Sequence, residues 1–165
     1  MFSDRKIIFL DRDGVINRDA GDYTYQWEKF EFLPGLFPAL LELQTKGFSF
    51  IIITNQAGIS KGIYSHRDVD ALHTKMIETF KSNGILILEI YYCPHHDSIE
   101  KCLCRKPGSL LVEKALARFQ LDPSRCYFIG DRERDILAGN GAAVKGILVP
   151  ENSDLRNYIQ QIQAS

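Results

Sequence analysis

Long apolar runs are missing from this 165-residue chain. None approaches the ~20 residues needed to cross a bilayer, so no membrane span or membrane partner is expected. Charge of one sign is missing as well. Twenty basic residues stand against twenty-one acidic ones, for a net charge of −1. A nucleic-acid binder normally carries a basic excess or stripe, and none is present. No repeat, low-complexity tract or Pro/Gly/Ser linker interrupts the sequence, which predicts one domain over residues 1–165. The first residues lack a secretory pattern: the apolar run Ile7–Leu10 ends after four residues in Asp11-Arg12-Asp13, and a cytoplasmic protein is expected. Cysteine is scarce, and its four copies are not spread as a disulfide framework would be. What is present is ordinary: 45% apolar and 25% charged residues, the usage of a globular domain. A chain this long buries roughly 68–70% of its unfolded surface without staples.

The elements can be read in order. Lys6–Leu10 is a short apolar strand that stops at acidic residues. Residues 11–33 hold Tyr23, Tyr25, Trp27, Phe30 and Phe32 without a sustained period, the pattern of a long, partly packed loop. Leu36, Phe37, Leu40, Leu41 and Leu43 follow helical spacing after Pro34-Gly35, and Gly47 stops the helix. Phe48–Ile53 is a second strand. Ser65 with Asp68 has capping-box spacing, and Val69, Leu72, Met76, Ile77 and Phe80 then share one helical face. Ile85–Tyr92 forms a third strand after Asn83-Gly84. A helix spans about Ser109 to Phe119, a fourth strand Cys126–Ile129, a short helix runs to about Gly139, and a fifth strand covers Gly146–Val149. Asp154 can cap a last amphipathic helix through Leu155, Tyr158, Ile159 and Ile162. Five continuous apolar strands alternating with helices predict a doubly wound α/β domain, its parallel sheet covered on both faces.

In such sheets ligands sit beyond the carboxyl ends of the strands. Asp11 and Asp13 follow the first strand, Thr54 and Asn55 the second, Asp131 and Asp135 the fourth. An isolated D-x-D, T-N or G-D would be turn chemistry; three strand ends of one sheet carrying them together point to a site. Converging carboxylates repel one another and raise each other's pKa unless a cation is present. A hard divalent ion, Mg²⁺, is the economical answer, and Mg²⁺ commonly bridges carboxylates to phosphate oxygens. The expected partner is therefore a small phosphorylated metabolite. Elsewhere Cys93, Cys102 and Cys104 fall within twelve residues, beside His95 and His96. In a reducing compartment that cluster reads as metal binding. Cys126, alone before Tyr127-Phe128-Ile129, reads as a buried hydrophobe.

With these residues in hand the chain resembles the haloacid-dehalogenase-type phosphatases. Their first motif is matched by Asp11-Arg12-Asp13-Gly14, their second by Thr54, their third by Lys106, and their fourth by Gly130-Asp131 with Asp135. Within that family the chain is similar to the branch holding the heptose bisphosphate and histidinol-phosphate phosphatases. Members carry T-N-Q, here Thr54-Asn55-Gln56, and a zinc loop, here Cys93-Pro94-His95 and Cys102-Leu103-Cys104-Arg105-Lys106-Pro107. The Ala57–Gly62 continuation and the Cys93-Pro94-His95-His96 spelling resemble the heptose enzymes. The six residues between His95 and Cys102 are nearer the histidinol type.

The resemblance implies Asp11 as the nucleophile, forming an aspartyl-phosphate, and Asp13 as the acid and then base. It implies Mg²⁺ on Asp11, Asp131 and the backbone carbonyl of Asp13. Thr54, Asn55 and Lys106 would hold the phosphoryl oxygens, with Asp135 orienting Lys106. Cys93, His95, Cys102 and Cys104 would form a closed structural Zn²⁺ site; spacing alone leaves His95 and His96 open, and the C-x-H pattern selects His95. There is no room for a large cap. Distal substrate groups would meet Asp19, Ala20, Gly21 and Asp22, then Gln56 and Ala57, then Arg105 and Arg132. A second phosphate would use Arg105, so a sugar bisphosphate losing its 7-phosphate is expected, with histidinol phosphate as the alternative. A phospho-accepting receiver domain, the rival from another class, would carry its acceptor Asp at the end of the third strand, where this chain has Tyr92-Cys93. A monomer is expected.

Overall fold

The computed structural model describes residues 1–162; residues 163–165, the end of the predicted single domain, lie outside the described residues. Five parallel strands form one sheet: β1 (Lys6–Leu10), β2 (Phe48–Asn55), β3 (Ile87–Cys93), β4 (Cys126–Gly130) and β5 (Lys145–Leu148), in the order β3-β2-β1-β4-β5. Four helices connect them: α1 (Leu36–Thr45), α2 (His66–Ser82), α3 (Leu110–Phe119) and α4 (Glu133–Gly141). The expected architecture is present: β1 has the expected bounds, and no strand end is displaced by more than two residues. No described helix is long and apolar enough to cross a membrane.

The apolar runs are continuous because both faces of the sheet are covered, and alternate residues serve opposite faces. Ile8, Leu10, Phe50 and Ile52 join Leu36, Leu40 and Leu43 of α1 and Met76 and Phe80 of α2. Ile7, Phe9, Ile51 and Ile53 join Leu111, Val112 and Ala115 of α3 and Ala138 of α4. Leu10 lies in register with Ile52 and both are fully buried; truncating either to Ala would cost roughly 2–5 kcal/mol. The 11–33 segment is packed where its aromatics reach the core. Phe32 meets Phe80 edge-on at 5.5 Å, and Trp27 stacks on Phe30 at 5.3 Å. The α2 capping box is formed: Asp68 N–H donates to Ser65 Oγ, and Ser65 N–H donates to Asp68 Oδ2.

The last predicted helix is not one. Leu155–Asn157 and Ile159–Gln161 are two 3₁₀ turns separated at Tyr158. Asp154 does cap the first, accepting from Arg156 N–H at 3.0 Å. Asn152, Ser153 and Asn157, Tyr158 and β-branched Ile159 are weak helix formers, and burial of Leu155, Ile159 and Ile162 is satisfied without a continuous helix.

The chain crosses from β3 at one edge back to β4 beside β1. The two neighbouring strands whose connections leave in opposite directions are β1 and β4, the switch point of the sheet. Asp11 follows β1 and Asp131 follows β4, while Asp11 N–H still donates to Ile129 O at 3.1 Å.

Candidate active site

Three carboxylates meet at this switch point. One oxygen from each of Asp11, Asp131 and Asp135 lies within 4.8 Å of the others. Lys106 reaches them from the loop before α3. Its Nζ is 2.7 Å from Asp11 Oδ1 and 2.6 Å from Asp135 Oδ1, and it donates to Ile53 O at 3.0 Å. Burial alone would lower the Lys106 pKa, but Asp11 and Asp135 outweigh it and hold the pKa above the usual lysine value. Burial raises the Asp11 pKa to about 8; Lys106 opposes the rise, and Asp135 and Asp131 add to it. Asp131 is also raised, chiefly by burial. Both its carboxylate oxygens are buried without a hydrogen-bond donor, and Arg132 Nε is 3.6 Å away.

With all three carboxylates ionised, the cluster carries −3 + 1 = −2 charges in a buried setting. One divalent cation would neutralise it and give the Asp131 oxygens their missing partner, so the donor set fits a hard cation. Gly14 makes the approach possible. Its φ is +89°, and a Cβ there would lie 2.2 Å from Asp131 Oδ2.

The second cluster lies on the strand and loop beyond Cys93. Cys93 Sγ is 3.6 Å from Cys102 Sγ and 3.1 Å from Cys104 Sγ. His95 Nδ1 is 3.5 Å from Cys93 Sγ and 3.3 Å from Cys104 Sγ. His96 is turned elsewhere, with Nδ1 2.7 Å from Ser98 Oγ. Sulfurs bonded tetrahedrally at about 2.3 Å from one zinc ion stand roughly 3.8 Å apart, so the set fits a closed tetrahedral site. Glu100 Oε1 is 3.7 Å from the other ring nitrogen of His95, the position of a carboxylate that orients a ligating imidazole. Burial raises the Cys93 thiol. Cys102 is lowered to about 7 because hydrogen bonds, foremost from the Arg105 backbone, outweigh its burial. Lys106 lies two residues beyond Cys104, and Asn55 clamps its backbone: Lys106 N–H donates to Asn55 Oδ1 at 3.1 Å, and Asn55 Nδ2 donates to Lys106 O at 3.2 Å.

A cleft of about 380 Å³ is lined by Asp11, Asp13, Asn55, Gln56 and Asp131 together with Asp19, Tyr23 and Arg132. A family model described as HAD-hydrolase-like matches residues 103–164. A D-glycero-beta-D-manno-heptose-1,7-bisphosphate 7-phosphatase of Helicobacter pylori (strain J99) is 40% identical over 164 residues, covering 99% of this chain and 93% of the relative. The chain belongs to the haloacid-dehalogenase-like phosphatases. A D-glycero-alpha-D-manno-heptose-1,7-bisphosphate 7-phosphatase of Campylobacter jejuni is 39% identical, covering 96% of this chain and 90% of that one. Among solved structures, the D,D-heptose 1,7-bisphosphate phosphatase of B. bronchiseptica, complexed with magnesium and phosphate, superposes with a TM-score of 0.81 at 29% identity. It covers 94% of this chain and 86% of that chain.

Other residues of this phosphatase fall as follows. Thr54 is buried, and its Oγ1 accepts from Gln56 Nε2 at 2.9 Å. Gln56 also donates to Asp13 Oδ2 at 3.2 Å and accepts from Tyr64 OH at 2.7 Å. Asp19, Gly21 and Asp22 line the cleft, while Ala20 and Ala57 are absent from its wall. Arg105 stands outside it, paired with Asp97 Oδ1 at 3.0 Å and donating to His95 O at 3.2 Å. Arg132 lines the cleft and pairs with Glu151 at 3.0 Å. Thr24 and Arg134 also line it and escaped the sequence reading; a basic residue directly before Asp135 was the available signal.

The larger omission is the setting of Asp13. Arg12, fully buried, places Nη2 2.9 Å from Asp13 Oδ1, and Asn17 Nδ2 donates to the same oxygen at 2.9 Å. Burial pushes the Asp13 carboxyl up, but Arg12, Asn17 and Gln56 outweigh it and hold it below the usual carboxylate range.

Proposed function

We propose that this phosphatase removes the 7-phosphate of D-glycero-D-manno-heptose 1,7-bisphosphate through an aspartyl-phosphate on Asp11, with Mg²⁺ in the active site and a structural Zn²⁺ in the cysteine loop. The observation that carries the chemistry is the buried cluster at the β1/β4 switch point, with the orphaned oxygens of Asp131 facing Asp11. The substrate rests on the relatives, which are heptose bisphosphate 7-phosphatases over almost the whole chain.

Asp11 and Asp131, with the Asp13 carbonyl, would hold Mg²⁺, which when bound supplies charge neutralisation for the phosphoryl oxygens. Asp11 attacks phosphorus; Asp13, ionised in the free enzyme, takes up a proton once the negatively charged substrate lies beside it and gives that proton to the leaving ester oxygen. Asp13 then takes a proton from the water that hydrolyses the aspartyl-phosphate. Lys106, held by Asp135, and Thr54 offer donors to the phosphoryl group as charge spreads over its oxygens. Asn55 serves this arrangement by fixing the Lys106 backbone. The zinc set, Cys93, His95, Cys102 and Cys104, ties down the loop that delivers Arg105 and Lys106, reducing the entropy lost on ordering them. The substrate is a small metabolite read without a large cap, by Asp19–Asp22, Gln56 and Arg132, and by Arg105 once a second phosphate draws it away from Asp97. The enzyme works as a soluble cytoplasmic monomer folded as one domain.

Side-by-side kcat/KM values test the substrate. The heptose bisphosphate should exceed histidinol phosphate, and a tenfold preference for histidinol phosphate would overturn the assignment. Arg105→Ala should weaken the bisphosphate selectively, whereas equal losses on simple monoesters would place Arg105 at the reacting phosphate.

A further inference from the structure

The motifs account for Asp11, Asp13, Lys106 and Asp131, but not for a buried histidine on α2. We infer that His73 is a positioning residue: through Arg12 it fixes the carboxylate of Asp13 and the cleft wall at Thr24. The inference rests on the proposed role of Asp13 as the proton donor to the leaving oxygen.

Arg12 is a fully buried cation with three sets of partners. Its Nε and Nη2 donate to Asp13 Oδ1 at 3.2 and 2.9 Å. Nη2 also donates to Thr24 O at 2.6 Å. Nη1 is 3.1 Å from His73 Nε2. A guanidinium only donates, so His73 Nε2 must accept and the ring proton must sit on Nδ1. His73 is itself buried, its ring set edge-on to Tyr92 at 5.8 Å. Burial, with Arg12 beside it, lowers the His73 pKa to about 3, and Asp13 opposes the shift only in part. The imidazole is therefore a neutral acceptor throughout the physiological range.

The consequence is geometric. A buried N–H without an acceptor is costly, so removing the His73 acceptor drives the guanidinium to turn toward another. Asp13 is held by that same planar fork and would turn with it. A small displacement of a general acid is enough to slow proton transfer to a leaving group. His73 touches neither phosphate nor metal-binding carboxylates, so its effect should depend on how much the leaving group needs a proton.

The test compares His73→Leu, which removes the acceptor, with His73→Gln, whose Oε1 can replace Nε2. It uses the heptose bisphosphate and p-nitrophenyl phosphate, whose phenolate departs without protonation. kcat/KM reports events up to phosphoenzyme formation for both. His73→Leu should lose about tenfold or more on the sugar phosphate and less than about threefold on the aryl phosphate, while His73→Gln stays near wild type on both. Equal losses on the two substrates would overturn the inference and leave His73 a packing residue. So would a correctly folded His73→Gln protein impaired tenfold on the sugar phosphate, an outcome that decides the matter even where the leucine variant does not fold. A wild-type enzyme releasing phosphate from p-nitrophenyl phosphate but not from the sugar would instead overturn the substrate reading. His73→Leu matching wild type on a better natural phosphate ester would then overturn the inference by itself.

Discussion

Replacing Lys106 by Met tests the electrostatic construction of the site. The ammonium is 1% exposed and sits between Asp11 and Asp135, at 2.7 and 2.6 Å. Met fills similar volume but leaves both carboxylates and Ile53 O without their cationic donor. Removing one partner of a buried ion pair costs roughly 3–5 kcal/mol, which for a domain of this size is about 6–20 °C in Tm, at roughly 2–4 °C per kcal/mol. The pH dependence has a definite sign. Without Lys106 the Asp11 carboxyl, already raised to about 8, rises further above its unfolded value of 3.8. The folded state then binds more protons than the unfolded one, so stability falls as pH rises. The gap between variant and wild type should widen from pH 7 to pH 9, as the wild-type Asp11 carboxyl ionises near pH 8 and the variant's does not, and added Mg²⁺ should narrow it. Thermal melts across that range, without and with Mg²⁺, read all of this. A Tm within about 2 °C of wild type at pH 8 without Mg²⁺ would refute the argument that Lys106 compensates a buried excess of negative charge.

Asp11→Asn should abolish phosphate release with little change in Tm, since the amide is a poor nucleophile of equal volume; substantial turnover by the purified variant would sink the nucleophile assignment. Protein purified without chelators should carry about one zinc ion per chain by elemental analysis, and phosphate release should additionally require Mg²⁺ and return when it is restored; absence of zinc would remove the loop assignment. His73 supplies a pH prediction in stability. Its pKa falls from 6.5 to about 3 on folding, so the unfolded state binds more protons between those values and stability drops on acidification by up to about 1.4 kcal/mol per pH unit. Facing groups Arg12, Asp13 and Tyr92 stay in place in His73→Gln, which should flatten that slope; an unchanged slope in urea melts from pH 7 to pH 4 would contradict it.

The strands were legible because burial on both faces writes them as unbroken apolar runs, and Ser65 with Asp68 marked the start of α2 by a local hydrogen-bond pattern. The carboxylates could be found because they follow strand ends, where a doubly wound sheet places its ligands. The C-terminal segment was misread because apolar spacing at 155, 159 and 162 fits one helix or two 3₁₀ turns equally, and weak helix formers decide for the turns. Arg12 and His73 were invisible for another reason. They are 61 residues apart, and no local pattern says that a histidine on an apolar helix face meets a buried guanidinium. Similarly, Arg105 read as a free cation beside the site, yet Asp97, eight positions earlier in a loop, takes it up.

The C7 phosphate ester is the bond this enzyme should break. Phosphorus NMR of D-glycero-D-manno-heptose 1,7-bisphosphate treated with enzyme and Mg²⁺ tests it most directly. The C7 phosphate resonance should disappear as inorganic phosphate grows, with the C1 phosphate retained. Release of the C1 phosphate first, or an unchanged spectrum under conditions where histidinol phosphate is hydrolysed, would contradict it.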